Sequence, residues 1–277
     1  MFRVIKILNH NSVIATDNDG KKEYILLGKG IGFGKKVDER IVLTEDTQVY
    51  SIQQETDRGS SKEILSNIDP VFLEITSSII VEAEKQFGKL DKNILCPLAD
   101  HIAFAVKRIK NDDAISNPLN EEIKALFSEE YRAAYNAKSI IKNRLDIEMS
   151  EDEIGYIALH IHSALENEKV SQAMQTAALV KECICIIENN VGKKIDMNSL
   201  SYNRLMSHIK YMIARAHKGE AIHLDMNEYI EKKFSKSFIL AKYVCSKIGL
   251  EINKELNDVE IGYLAMHIER VFTEEIL

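Results

Sequence analysis

The sequence predicts a multidomain protein: a small antiparallel four-stranded β head followed by two homologous all-α helical-bundle domains. Short β-branched and aromatic runs fill the first 55 residues, and from about Ile64 onward apolar residues recur at spacings of three and four. The helical part also repeats itself, since EIGYIALHI at 153–161 returns as EIGYLAMHI at 260–268. We therefore expect a head at 1–55, a linker at 56–66, and helical domains at 67–170 and 171–277.

Four candidate strands make up the head, namely FRVIKIL, SVIAT, KEYILL and TQVYSIQ, and the turns NHN and DNDGK separate the first three. The polar, glycine-containing stretch QQETDRGSSKE that follows is typical of a linker. Residues 1–36 carry seven basic and three acidic side chains, although the whole chain has a formal net charge of −7. The pattern predicts a small basic head on a larger acidic body.

Composition narrows the class of protein. The chain is 45% hydrophobic and 29% charged, as expected for globular domains, and it contains no run of about 18 apolar residues that would predict a membrane span. The N-terminal segment MFRVIKILNHNSV lacks the pattern of a signal peptide. Four cysteines lie in apolar, helical stretches, and no second ligand pair stands at zinc spacing from Cys183 and Cys185. We predict a cytoplasmic protein with reduced thiols, no metal and no cofactor.

Two pairs of histidines share one spacing. His101 and His160 are 59 residues apart, as are His208 and His267, and an offset of 107 residues converts the first pair into the second. The surroundings match as well, with LADHIAFAVKR around the first histidine and LMSHIKYMIAR around the third. Two domains of common ancestry explain this repetition.

Three interpretations of these histidines are open. They can be histidines at the edge of the core that bond to backbone carbonyls, or ligands of a metal, or acceptors of a phosphoryl group. A metal is disfavoured because Glu269 replaces His162 in the second repeat, and because side chains two apart on a helix diverge by about 200°. Helical periodicity places all four histidines at the edges of apolar stripes, within reach of a groove or solvent. Identical spacing in two domains favours phosphoryl acceptors.

The stretch LLGKGIGFGKK (26–36) resembles a nucleotide-binding loop but fits neither glycine-rich template for one. Alternating glycines after a strand indicate a backbone that another molecule approaches closely. Phe33, followed by Lys35 and Lys36, suits base stacking beside phosphate-binding lysines. The alternative is a bulged hairpin in which Phe33 belongs to the core.

The segments GKGIGFGKK, DHIAFAVKR and EIGYIALHI, together with the histidine spacing, resemble the BglG/LicT-type transcriptional antiterminators of bacteria, and most of all their glucose-responsive branch. The resemblance covers nearly the whole chain. It implies an RNA-binding co-antiterminator head that dimerises and clamps an RNA hairpin overlapping a terminator, so that transcription continues. It also implies two regulatory domains controlled by the sugar phosphotransferase system.

The resemblance assigns roles to individual residues. It implies RNA contacts at Lys6, Asn11, Gly28, Lys29, Phe33 and Gly34, to which the loop pattern adds Lys35. It implies phosphorylation of His101 and His160, linked to the sugar permease enzyme II and switching the protein off, and of His208 and His267 by the carrier HPr. The chain departs from some members at His10, where they carry a third asparagine, and at Gly34, where they carry glutamine. Ser207 also precedes His208, where Asp100 precedes His101.

We therefore predict a homodimeric, sugar-responsive antiterminator that accepts phosphate on histidine and is not an enzyme. One alternative is a phosphocarrier component of the phosphotransferase system, which would need no basic β head. Another is a DNA-binding activator with the same regulatory domains, which is disfavoured because no helix-turn-helix pattern precedes them.

Overall fold

The computed structural model describes residues 2–52, 61–113, 115–197 and 199–273. The chain divides into two compact units. The first unit comprises Met1–Asn120 and Phe127–Ala173, and the second unit comprises Glu121–Leu126 and Met174–Leu277. A β head followed by helical domains is the predicted fold class, and the structure confirms it.

The head is an antiparallel sheet with the strand order β4-β1-β2-β3-β5. Its strands are β1 (Phe2–Asn9), β2 (Ser12–Thr16), β3 (Glu23–Leu27), β4 (Arg40–Ile41) and β5 (Gln48–Ser51). Val4, Val13, Leu26 and Ile41 are at most 2% exposed and pack on one face of the sheet, as the alternating pattern requires. The four predicted strands are present, and β4 adds a fifth of two residues, which is too short to leave a sequence pattern.

Eleven α-helices lie in the described ranges. They are α1 (Ser61–Asn67), α2 (Pro70–Phe87), α3 (Leu95–Lys110), α4 (Asn120–Leu126), α5 (Ser128–Leu145), α6 (Glu151–Glu166), α7 (Val170–Val191), α8 (Leu200–Lys218), α9 (Asn227–Lys233), α10 (Ser235–Ile252) and α11 (Val259–Thr273). In the first unit α2 packs against α3 and α5, and α5 packs against α6. In the second unit α11 packs against α8, α9 and α10.

The linker expected at 56–66 is only partly a connecting segment. Residues 56–60 lie outside the described ranges, whereas 61–66 form most of helix α1. Ile64 and Leu65 are 8% and 5% exposed, and α1 packs against α3. Burial of these two apolar side chains stabilises a helix where the polar composition alone predicts an irregular connection.

Helix α7 is long and apolar enough to cross a membrane by length and composition, and it alone passes that test within the ranges the structure describes. This is weak evidence of a span, because core helices pass the same test. The charged residues of α7 are paired inside the second unit. Lys181 lies 3.1 Å from Glu122, and Lys247 lies 3.2 Å from Glu182. The pairing favours a core helix.

The repeated segment EIGY opens α6 and α11 for the same structural reasons in both domains. The Ser150 hydroxyl accepts a hydrogen bond from the Glu153 N–H at 3.3 Å, which is an N-cap. At the start of α11, Asn257 Oδ1 accepts a hydrogen bond from the Val259 N–H at 3.0 Å. The glycine two residues after each glutamate lies against an asparagine. A Cβ added to Gly155 would be 2.2 Å from the amide oxygen of Asn120, and a Cβ added to Gly262 would be 2.5 Å from the amide oxygen of Asn227.

Candidate functional site

The loop that follows β3 is folded back onto the turn between β1 and β2. The N–H groups of Gly28 and Gly32 donate to the carbonyls of Asn11 and His10 at 3.0 and 2.9 Å. A Cβ at Gly32 would lie 2.2 Å from the carbonyl oxygen of Asn9, so only glycine allows this approach. The two segments thus form one rigid surface of the head.

The asparagines of the β1–β2 turn use their side-chain oxygens to hold this surface together. Asn9 Oδ1 accepts hydrogen bonds from the Asn11 N–H and the Ser12 hydroxyl, both at 2.8 Å. Asn11 Oδ1 accepts one from the Gly30 N–H at 3.0 Å. The Nδ2 groups of both asparagines point away from the turn and contact the carboxylate of Glu74 in α2. The turn therefore presents amide donors.

Phe33 lies at the tip of the loop with 69% of its surface exposed. The alternative interpretation, in which this ring belongs to the core, is wrong. The ring meets His10 edge to face with centroids 5.3 Å apart, and Lys29, four residues earlier in the same loop, is exposed. An exposed ring and an exposed cation on one loop suit stacking of a base and binding of a phosphate.

The other predicted contact residues differ in their surroundings. Gly34 takes a left-handed backbone conformation with φ of 67°. Lys35 does not extend freely, because its amine bonds to Glu39 at 2.6 Å. That hydrogen bond is the main reason that the pKa of Glu39 is lowered. Lys6 is exposed on β1, opposite Ile14 of β2. The structure therefore brings Asn11, Gly28, Lys29 and Phe33 together on the loop and turn, while Lys6 lies on a strand.

His101 of α3 and His160 of α6 face each other across a helix pair, with ring centroids 5.4 Å apart. Both are buried, at 6% and 9% exposed, and so are more covered than their stripe-edge positions predict. His101 Nε2 lies 3.2 Å from Glu153 Oε2, and Arg108 donates to Glu153 Oε1 at 2.6 Å. The repeated EIGY glutamate is thus part of the histidine site.

A buried carboxylate is stable here only because it is compensated. Burial raises the pKa of Glu153, but contacts from His101 and Arg108 outweigh burial and lower the pKa overall. The carboxylate is therefore charged near neutral pH. Arg108 and Glu153 are both visible in the sequence. Their pairing, however, depends on the packing of α3 against α6, and no local sequence pattern predicts that packing.

The second pair has the same construction. His208 of α8 and His267 of α11 have ring centroids 4.7 Å apart, and Arg215 donates two hydrogen bonds to Glu260 at 2.7 and 2.8 Å. His208 Nε2 lies 3.7 Å from Glu260 Oε2. Burial, with smaller effects from His267 and Arg215, lowers the pKa of His208 to about 3. This imidazole is neutral at pH 7.

The two pairs differ in their neighbours. His162 is held by Glu130, with Nδ1 2.8 Å from Oε1, and its ring lies 4.2 Å from that of Phe127. The corresponding Glu269 accepts a hydrogen bond from Ser237 at 2.6 Å. No cluster of three or more histidine, cysteine or carboxylate side chains arranged for a metal occurs in the part of the chain that the structure describes.

The chemistry available at both sites is that of a nucleophilic nitrogen. Among the described residues, His208 Nε2 and His267 Nδ1 are buried without a hydrogen-bond partner, whereas His101 Nε2 faces Glu153 Oε2 at 3.2 Å. A neutral imidazole nitrogen can take a phosphoryl group, which adds about 1.5 to 2 negative charges. Each pair already adjoins a carboxylate and an arginine, so added charge would disturb the balance that holds the two helices together.

A head that presents amide donors and an exposed aromatic ring, joined to a duplicated helical domain with paired histidines, defines a nucleic-acid-binding regulator with two modification domains. The PRD domain model matches residues 77–164 and 181–271, and the CAT RNA binding domain model matches residues 2–59. The chain belongs to the family of sugar-responsive transcription antiterminators that join a CAT RNA binding domain to two PRD domains.

Relatives resemble the chain along nearly its whole length. The GlcA/glcB genes antiterminator of Staphylococcus carnosus (strain TM300) is 33% identical over 279 residues, which cover 98% of this chain and 95% of the relative. Protein GlcT of Staphylococcus haemolyticus (strain JCSC1435) is 34% identical over 273 residues, covering 96% and 95%. The crystal structure of GlcT CAT-PRDI aligns with a TM-score of 0.52 and 35% identity, over 59% of this chain and 98% of that chain.

Proposed function

We propose that this protein is a cytoplasmic, glucose-responsive antiterminator that acts as a homodimer and binds an RNA hairpin overlapping a terminator. The observation that carries the proposal is the loop fixed on the asparagine turn, with Phe33 69% exposed at its tip. Lys6, Asn11, Gly28, Lys29, Phe33, Gly34 and Lys35 are the proposed RNA contacts. The protein acts by binding and turns over no substrate.

Dimerisation is proposed on grounds of size. A head of about 55 residues buries little apolar surface by itself, and a two-fold dimer increases the buried area. Residues 1–36 of each head carry seven basic and three acidic side chains, so two heads side by side also bring more positive charge to one hairpin. We also propose a division into a head at 1–55, a linker at 56–66 that includes most of helix α1, and helical domains at 67–170 and 171–277.

The proposed control is histidine phosphorylation. Phosphate linked to the sugar permease enzyme II enters on His101 or His160 and stops RNA binding, whereas HPr supplies His208 and His267. A phosphoryl group beside Glu153 places two negative groups in one buried site. Like-charge repulsion then favours a different packing of the helices, and Arg108, now paired with Glu153, is a cation that the phosphate can compete for.

A terminator–reporter assay with and without glucose tests this control. The double variant His101→Ala, His160→Ala is expected to give readthrough that no longer needs the sugar. His217→Ala is the matched control, since that histidine is exposed on α8 and belongs to neither pair. Phosphate labelling by purified phosphotransferase proteins is run on the same variants. Readthrough that stays fully sugar-dependent in the double variant would contradict the proposed control.

A further inference from the structure

The carboxylate of Glu74 bridges two of the side chains at the RNA-contact surface. Asn9 Nδ2 donates to Glu74 Oε1 at 2.7 Å, and Asn11 Nδ2 donates to Oε2 at 3.1 Å. Glu74 lies in the first turns of α2, more than 60 residues beyond the turn it contacts. Its side chain is only 12% exposed. Arg144 lies 4.0 Å away, farther than either of the two amides.

The contact involves the groups through which the turn can bind a ligand. The side-chain oxygens of Asn9 and Asn11 are already bonded inside the head, to Ser12 and to the backbone of Asn11 and Gly30. The amide Nδ2 groups are therefore the donors left for an external acceptor, such as a phosphate oxygen or the edge of a base. Glu74 places two charged acceptor oxygens on those donors, as a phosphate would.

A second contact fixes the head on the same helix. The Tyr50 hydroxyl lies 2.7 Å from that of Ser77, and Tyr50 is 0% exposed. Ser77 is one helical turn beyond Glu74, so β5 and the β1–β2 turn both meet α2. The cleft beside this contact is lined by Asn11, Gly28 and Lys29 on the head together with Glu74 and Arg144. An RNA backbone entering there would meet the Glu74 charge.

We propose that Glu74 is an intramolecular competitor of RNA, whose carboxylate occupies the Asn9 and Asn11 amides until the head leaves α2. The inference rests on the proposed function, because it assumes that these asparagines contact RNA. Since α2 packs on α3, which carries His101, a change in the packing of α3 can be transmitted to this contact. The arrangement described is then the form that does not bind RNA.

The test measures affinity of the full-length chain for a labelled RNA hairpin that overlaps the terminator upstream of a neighbouring permease gene. Glu74→Ala is expected to bind about tenfold more tightly than the wild type. This is the gain that results when only about a tenth of the wild-type molecules are in the form that can bind RNA and the variant removes that restriction. Glu74→Gln keeps the side-chain shape and one acceptor oxygen, so a smaller gain is expected. Glu82→Ala, on the same helix but paired with Lys85, should match the wild type.

The Asn11→Ala variant distinguishes failure of the Glu74 competitor from failure of the proposed RNA-binding function. Loss of binding in this variant together with wild-type affinity in Glu74→Ala and Glu74→Gln would overturn the competitor and leave the proposed function standing. Binding by none of the proteins, wild type included, would overturn both. If circular dichroism shows that Glu74→Ala is unfolded, the RNA affinity of the isosteric Glu74→Gln variant is used instead. An affinity equal to that of the wild type would then overturn the proposal that Glu74 competes with RNA.

Discussion

Lowering the pH from 7 to 5 should destabilise the second unit through His208. Burial, aided by His267 and Arg215, lowers the pKa of this histidine from 6.5 to about 3. In the unfolded chain the imidazole takes up a proton below about pH 6.5, whereas in the folded chain it stays neutral until about pH 3. The unfolded state binds more protons in that window, so stability falls as the pH falls.

The size of this loss of stability depends on how far the pH falls below 6.5, the pKa of the histidine in the unfolded chain. Each pH unit well below 6.5 costs about 1.4 kcal/mol for one such group, so reaching pH 5 costs about 2 kcal/mol. The whole effect vanishes near neutral pH, where both states carry a neutral ring. His267, whose pKa is also lowered, mainly by burial, adds a further loss of the same sign.

The assay is urea unfolding followed by far-ultraviolet circular dichroism, since the chain has no tryptophan. Wild type is compared with His208→Gln, which cannot take up a proton, at pH 7 and at pH 5. The wild type should lose about 2 kcal/mol more than the variant between these two values. Nuclear magnetic resonance of labelled histidine rings supplies a direct check. A His208 ring that titrates near pH 6.5 in the folded protein would refute the reasoning.

Two further predictions concern the head and the first histidine site. Phe33→Ala should weaken RNA binding by about 1 to 3 kcal/mol, the value of one stacked base, while the circular dichroism spectrum stays that of the wild type because the ring is exposed. Arg108→Ala should destabilise the first unit by about 3 kcal/mol or more, because it leaves the Glu153 carboxylate buried beside His101 without its arginine, and urea unfolding measures this loss. Unchanged RNA affinity in the first variant, or unchanged stability in the second, would contradict the roles assigned here.

The features predictable from the sequence are those that follow from local pattern. The duplicated helical domain could be found because two apolar segments and two histidines recur at one offset, and periodicity is a property of consecutive residues. The strands of the head could be found for the same reason. Strand β4 could not, since two residues carry no period.

The rest depends on residues far apart in the chain. The bonds from Arg108 and Arg215 to the EIGY glutamates each span 45 residues, and the contacts of Glu74 with the asparagine turn span 63 and 65. Such pairs arise only when helices or domains pack, so neither spacing nor propensity indicates them. The burial of the histidines has the same origin, because the facing helix covers an edge that a single amphipathic helix leaves open.

The glycines of the loop can be sorted by what would happen to a methyl group at each one. At Gly32 it would collide with the protein itself, and at Gly34 the left-handed backbone disfavours any side chain. At Gly28 the nearest atom to an added Cβ is Thr47 Oγ1 at 3.5 Å, an ordinary contact, so the folded head can accept alanine there. Alanine at Gly28 therefore measures how closely the ligand approaches, free of any effect on folding, whereas alanine at Gly32 measures the protein's own packing.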